Sequence, residues 1–160
     1  MPTPETLAVF QVIRTQIERT VPFHRVIGLA LDAVDARGAT TRLPEQPILA
    51  NHHGTLHAGA LFSACESASG AALAGALLPV ILRTRFVVRD ARISYLKPSR
   101  GELIAQAALA DEPAAVIAAL ERDGRATAVV DVSARIAAGT ADERIVAKAS
   151  FEWHLKLIDG

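Results

Sequence analysis

Apolar side chains recur at three- and four-residue steps over residues 5–19, where Leu7, Phe10, Ile13 and Ile17 are separated by Gln11, Arg14, Glu18 and Arg19. That period gathers the apolar positions on one stripe of a helix, which Pro22 ends. The run from Ile27 to Asp35 reads as a strand that turns at Arg37-Gly38 and returns through Ala39–Leu43, with Pro44 and Pro47 closing the pair. Residues 48–57, ILANHHGTLH, form a polar loop. The Ala-rich segment from 57 to 78 then predicts one helix of about 30 Å, at 1.5 Å per residue.

Beyond it the period falls to two. Ala91, Ile93 and Tyr95 alternate with Arg92 and Ser94, and a Lys97-Pro98-Ser99-Arg100-Gly101 turn leads into Leu103–Ala110. Residues 114–121 read as a further strand running into Asp123-Gly124, a hairpin signal. Ala126, Ala128, Val130, Val132, Ala134 and Ile136 face one way, and Ile145, Ala147, Ala149, Phe151, Trp153 and Leu155 repeat the pattern. Alternating strands joined by short turns make an antiparallel sheet with one wet face, whose dry face must be covered. The long Ala-rich helix is the cover. The predicted architecture is α+β, a curved antiparallel sheet wrapped around one central helix. It forms a single domain over 1–160, with residues 1–22 as an N-terminal helical extension.

Composition narrows the function classes. The 160 residues carry 17 basic and 17 acidic side chains, which argues against a polycation working on nucleic acid. A 21% charged fraction with abundant Val, Leu and Ile excludes disorder, and one cysteine cannot form an internal disulfide, which fits a reducing, cytoplasmic setting. Residues 58–82 are long enough to cross a bilayer, but Glu66 near the middle and Pro79 near the end argue for a buried helix instead.

Glu66 is the most informative residue. It is the only side chain between Ala58 and Leu82 expected to be charged, and helical spacing gives it Phe62, Ser69 and Leu73 as neighbours. A carboxylate in such surroundings is costly, and its pKa rises; that suits a general base or nucleophile in a cleft. The loop before the helix brings Asn51, a Gly-containing turn and His57 to the first helical turn. There the backbone N–H groups lack internal partners, and the small Ala58 and Gly59 leave them accessible to an oxyanion. Glu66 lies two turns further on, so a substrate along the helix could touch both. Weaker signals are His52, His53 and His57 as a metal cluster, which Gly54 and the missing glutamate of a zinc-protease motif oppose. Cys65 reads as packing. The basic stretch of Arg83, Arg85, Arg89, Arg92, Lys97 and Arg100 reads as a solvated face or a patch for a phosphorylated ligand.

Asn51-x5-His57-Ala-Gly-Ala-Leu-x4-Glu66, the small-residue helix after it, and Ile93-Ser-Tyr-Leu-Lys-Pro-Ser-Arg-Gly-Glu102 together resemble the hotdog-fold acyl-CoA thioesterases. The nearest types are the phenylacetate-pathway and 4-hydroxybenzoyl-CoA enzymes, and the resemblance covers roughly residues 25–155. It implies a helix wrapped in an antiparallel sheet, a homodimer or homotetramer with sites at subunit interfaces, and no metal or redox cofactor. It also implies roles: Glu66 as the catalytic carboxylate, Ala58 N–H on the thioester carbonyl, and Asn51 holding substrate or water. His57 would be a positioning residue, Gly59 would line the site, and Lys97 and Arg100 would meet the CoA phosphates. Two positions depart from the pattern, Ala58 where a glycine is usual and Glu66 where many relatives have Asp. Alternatives on the same fold are a non-catalytic acyl-CoA-binding protein and an acyl hydratase or dehydratase. The latter has its Glu five residues after a Gly that follows Pro, a spacing Gly59 and Glu66 do not keep.

Overall fold

A computed structural model describes residues 4–137 and 139–158. Two helices, α1 (Pro4–Thr20) and α2 (Pro22–Ile27), precede the hairpin β1 (Ala30–Asp35) and β2 (Gly38–Leu43). The long helix α3 (Ala58–Ala76) follows, then β3 (Thr84–Tyr95), β4 (Leu103–Leu109), α4 (Pro113–Asp123), β5 (Arg125–Ile136) and β6 (Arg144–Leu157). The six strands form one antiparallel sheet in the order β1-β2-β4-β5-β6-β3. This is the helix-in-sheet arrangement that the patterning and the resemblance predict.

α3 packs chiefly on β2, β4 and β5, and hardly touches the far edge strand β3. Its core-facing side is built of small groups: Ala64, Cys65, Ala68, Ala72 and Leu73 have no exposed surface. Small side chains let the helix lie close to the sheet. At Gly75 a Cβ would stand 2.2 Å from the Asp35 carbonyl oxygen, so only glycine allows that approach. A buried hydrogen bond from Thr41 Oγ1 to the Ala64 carbonyl, 2.9 Å, ties sheet to helix at mid-length. The segment weighed as a membrane span is this buried helix, and no helix among the described residues is long and apolar enough to cross a membrane.

Four details differ from the sequence pattern. Residues 114–121 are helical, not a strand. Pro113 sits in the first turn, Val116 and Leu120 are buried one turn apart, and Gly124 caps the helix at φ 69° rather than making a hairpin. In an Ala-rich segment these apolar positions satisfy either period, and packing chooses. Pro22 ends α1 but also opens α2, where its missing N–H is harmless, so β1 starts only after Gly28. Leu7, placed on the inner stripe of α1, is 50% exposed, while Phe10 and Ile13 are buried against Ala74 of α3. In β6 the pairing slips between Ala134 and Arg135, so Val146 points inward and Ile145 outward.

Candidate active site

The loop between β2 and α3 is held by its own hydrogen bonds. An isolated bridge joins Ala50 to Leu56, and the Leu56 N–H donates to the Ser99 carbonyl at 2.9 Å, fastening the loop to the turn after β3. Asn51 organises the interior. Its Oδ1 accepts the N–H groups of His53 (2.9 Å) and Thr55 (3.2 Å), and its Nδ2 donates to Thr55 Oγ1 (2.8 Å). The amide is therefore committed to shaping the loop. Gly54, at φ 66°, makes the turn that Asn51 closes.

Arg100 is tied down in the same region. Its guanidinium donates to the carbonyls of Gly54 (2.6 Å) and His53 (3.1 Å). The side chain that the sequence offers for a phosphate is used here as a brace across the loop. Elsewhere in the basic stretch, Arg83 pairs with Glu121 and Arg89 with Glu152. Lys97 stays exposed beside the cleft described next.

His57 is the N-cap of α3, and its Nδ1 accepts the Gly59 N–H at 2.9 Å, which puts the ring proton on Nε2. The His57 carbonyl accepts the N–H groups of Ala60 (3.0 Å) and Leu61 (3.1 Å). Of the first donors of the helix, only the Ala58 N–H has no acceptor among the described residues. Gly59, expected to offer a second donor, has its N–H occupied by the cap. Ala58 has an ordinary negative φ, so the methyl group in place of a glycine carries no backbone strain. A cavity of about 330 Å³ opens on this helix start, lined by Asn51, Ala58, Leu61, Tyr95, Lys97 and neighbouring residues. Tyr95 Oη donates to the Ala58 carbonyl at 3.3 Å, closing β3 onto the helix start. The sequence places Tyr95 in the alternating strand and in the motif at its end, but assigns it no role in the site.

Glu66 on α3 is half-buried, and desolvation raises its carboxyl pKa above the usual 4.5. No ion pair neutralises it among the described residues. Its helical turn is anchored by a relay in which Trp153 Nε1 donates to Ser69 Oγ (3.2 Å), and Ser69 Oγ donates to the Glu66 carbonyl (2.7 Å). Glu66 does not line the cavity at the helix start. Eight residues separate it from Ala58, roughly 12 Å along the helix at about 1.5 Å per residue. Cys65, its neighbour, is buried and its thiol is pushed up to about 12 by desolvation, which makes it a packing group. The His52 and His53 rings lie against each other in the loop, tilted by 45° with centroids 3.9 Å apart.

Comparison with known proteins agrees with this architecture. A protein of Halobacterium salinarum named "Putative esterase" is 29% identical over 132 residues, which span 78% of this chain and 80% of that one. Among solved structures, a thioesterase family protein from Silicibacter pomeroyi superposes with a TM-score of 0.75 at 20% identity, covering 92% of this chain and 97% of its own. A Pseudomonas aeruginosa protein of unknown function, titled a probable thioesterase, gives 0.78 at 22% identity, with 98% of both chains covered. These likenesses establish the fold. Residues 11–155 match the family described as DUF4442, a domain of unknown function. The chain is thus a member of the DUF4442 family, built on the hotdog fold.

Proposed function

We propose that the protein is a thioester hydrolase acting on acyl-CoA, with its active sites formed between two copies of the chain. The observation that carries this reading is the unclaimed N–H of Ala58, a residue that lines an open cavity at the positive end of a 19-residue helix. A thioester carbonyl placed there would have a fixed donor for the negative charge that grows on its oxygen during attack. Glu66, its pKa raised by burial, is the base that activates water, or the nucleophile that gives an anhydride for water to open. Asn51 and His57 shape the loop and the helix start, and Lys97 lies where the CoA moiety would leave the cleft.

Both groups must come within about 3–3.5 Å of one reacting centre. A single helix holds Ala58 and Glu66 roughly 12 Å apart at about 1.5 Å per residue, so one chain does not bring them together. A second copy supplies the partner group. β3 supports this assembly, because its 12 residues form an unpaired sheet edge carrying the exposed Val87 and Tyr95. Such an edge is normally covered or paired. The names of the relatives, esterase and thioesterase, point to the same reaction class.

The test measures thiol release from short, medium, long and aromatic acyl-CoAs. Wild type is compared with Glu66→Gln and Ala58→Pro. Proline suits the first helical position and His57 already has the extended backbone (φ −62°, ψ 137°) that must precede it, so Ala58→Pro removes the N–H and little else. Each variant alone should be inactive. Refolded together, they should recover about a quarter of wild-type activity, since half the chains pair as mixed dimers and each has one intact site. Undiminished hydrolysis in either variant removes that residue from the mechanism. No hydrolysis by wild type, with acyl-CoA still bound, leaves a binding protein.

A further inference from the structure

A cavity of about 490 Å³ lies on the opposite face of the sheet from α3. It lies over β4, β5 and β6, where Ser133 and Arg135 alternate with the inward-facing Val132, Ala134 and Ile136. Register places a polar row across the sheet: Gln106 pairs with Ser133, Ser133 with Lys148, and Lys148 with Ser94. The small Ala108, Ser133 and Ser150 on this face leave a depression between the longer Gln106, Arg135 and Lys148.

Two polar atoms in this depression are shielded yet have no hydrogen-bond partner among the described residues, Ser133 Oγ and Arg135 Nε. Native proteins leave few such atoms, and each one calls for a missing water, ion or ligand. The Arg135 guanidinium is held rigid from its other end: Nη1 donates to Glu143 at 3.1 Å, and Nη2 donates to Gln106 Oε1. With Gln106 Oε1 accepting from Arg135, the amide N–H₂ remains as a donor. Lys148 adds an ammonium group with no ion-pair partner among the described residues. The lining is therefore rich in donors: Gln106 amide, Ser133 hydroxyl, Arg135 Nε–H and Lys148 ammonium. The opposing charges are Glu143, which also accepts the Gly139 N–H, and Asp131, which itself lines the depression and lies in register with Ser150 and Arg92.

We infer that this outer-face depression is a site for a phosphate oxyanion, held by Ser133, Arg135 and Lys148. Charged donors fixed by their neighbours suit such a ligand, since no reorganisation is needed on binding. The phosphate could come free from solution or from the nucleotide end of CoA. The end of β3 links this face to the cleft, because the N–H groups of Leu96 and Lys97 both donate to the Val146 carbonyl, two residues before Lys148. Only the CoA source rests on the proposed thioesterase reading.

The test is binding, independent of turnover. Inorganic phosphate, CoA and 3′-dephospho-CoA are titrated into the ¹⁵N-labelled protein and into the Ser133→Ala and Lys148→Gln variants, whose folds are verified by their spectra. Saturable shifts at Ser133, Arg135 and Lys148 are expected, weakened about tenfold in each variant, the effect of one lost charge-assisted hydrogen bond. Tighter binding of CoA than of 3′-dephospho-CoA, lost in both variants, identifies the nucleotide as the source. Phosphate binding without that preference identifies free phosphate. Absent or variant-insensitive shifts overturn the proposal. So does a sedimentation result in which Lys148→Glu dissociates an oligomer, since a second copy would then cover this face.

Discussion

The Nδ1 of His57 accepts the backbone N–H of Gly59 at 2.9 Å, and in doing so leaves the N–H of Ala58 as the open donor at the start of α3. The histidine is a helix cap, and the cap determines which backbone donor stays open.

Replacing His57 by Ala should therefore cost about 1 kcal/mol of stability, the usual cost of losing an N-cap. His57→Asn should keep most of that stability, because its short side chain can accept the same N–H. Urea denaturation of the two variants checks this. If both fall equally, the cap is not what His57 contributes.

Glu66 governs a pH dependence of opposite sense to an ordinary paired carboxylate. Its folded pKa lies above the unfolded value of 4.5, because burial favours the protonated form. The native state thus binds more protons than the unfolded state between the two values, and stability falls as pH rises through that window. Glu66→Gln should remove this loss, raising stability at neutral pH while abolishing hydrolysis. Melting temperatures of both proteins across pH 4–8 would expose the difference; parallel curves would mean the carboxylate is freely solvated.

His24 works in the other direction. It is buried on α2, 2.7 Å from Ser67 Oγ on α3, and desolvation holds its pKa below the ordinary 6.5, with Glu18 opposing. Its stabilising contribution is complete above 6.5 and is lost as pH falls through the lower folded value. His24→Gln, which can still bond Ser67, should flatten that acid-side decline. Denaturation midpoints at pH 7.5 and pH 5 measure it.

Arg100 and Lys97, neighbours in the sequence, should behave differently. Arg100→Leu releases the carbonyls of His53 and Gly54, and we expect a lower kcat from a loosened loop, partly restored in Arg100→Lys. Lys97→Gln touches no internal contact and should raise KM for acyl-CoA with kcat unchanged. A KM effect in Arg100→Leu alone would assign the phosphate contact to Arg100 instead.

The local pattern of the chain determined most of the elements. A two-residue period has one dry face whatever its neighbours, and an Ala-rich helix with a single charge has to be buried, so β4, β5, β6 and α3 were legible. So was the order of Asn51 in the loop and of His57, Ala58 and Glu66 along one helix, because spacing along a loop and a helix is a local quantity. The tertiary structure decided the rest. α4 was ambiguous because Ala, Val, Ile and Leu at positions 114–120 fit either period until Val116 and Leu120 found the core. The bulge that turns Val146 inward depends on the pairing of β6 with β5, which no single strand encodes. The fate of Arg100, of the Asn51 amide and of the Gly59 N–H turned on partners brought close only by folding. Charge and donor capacity are written in a residue, but whether they stay free for a ligand depends on what the fold places beside them.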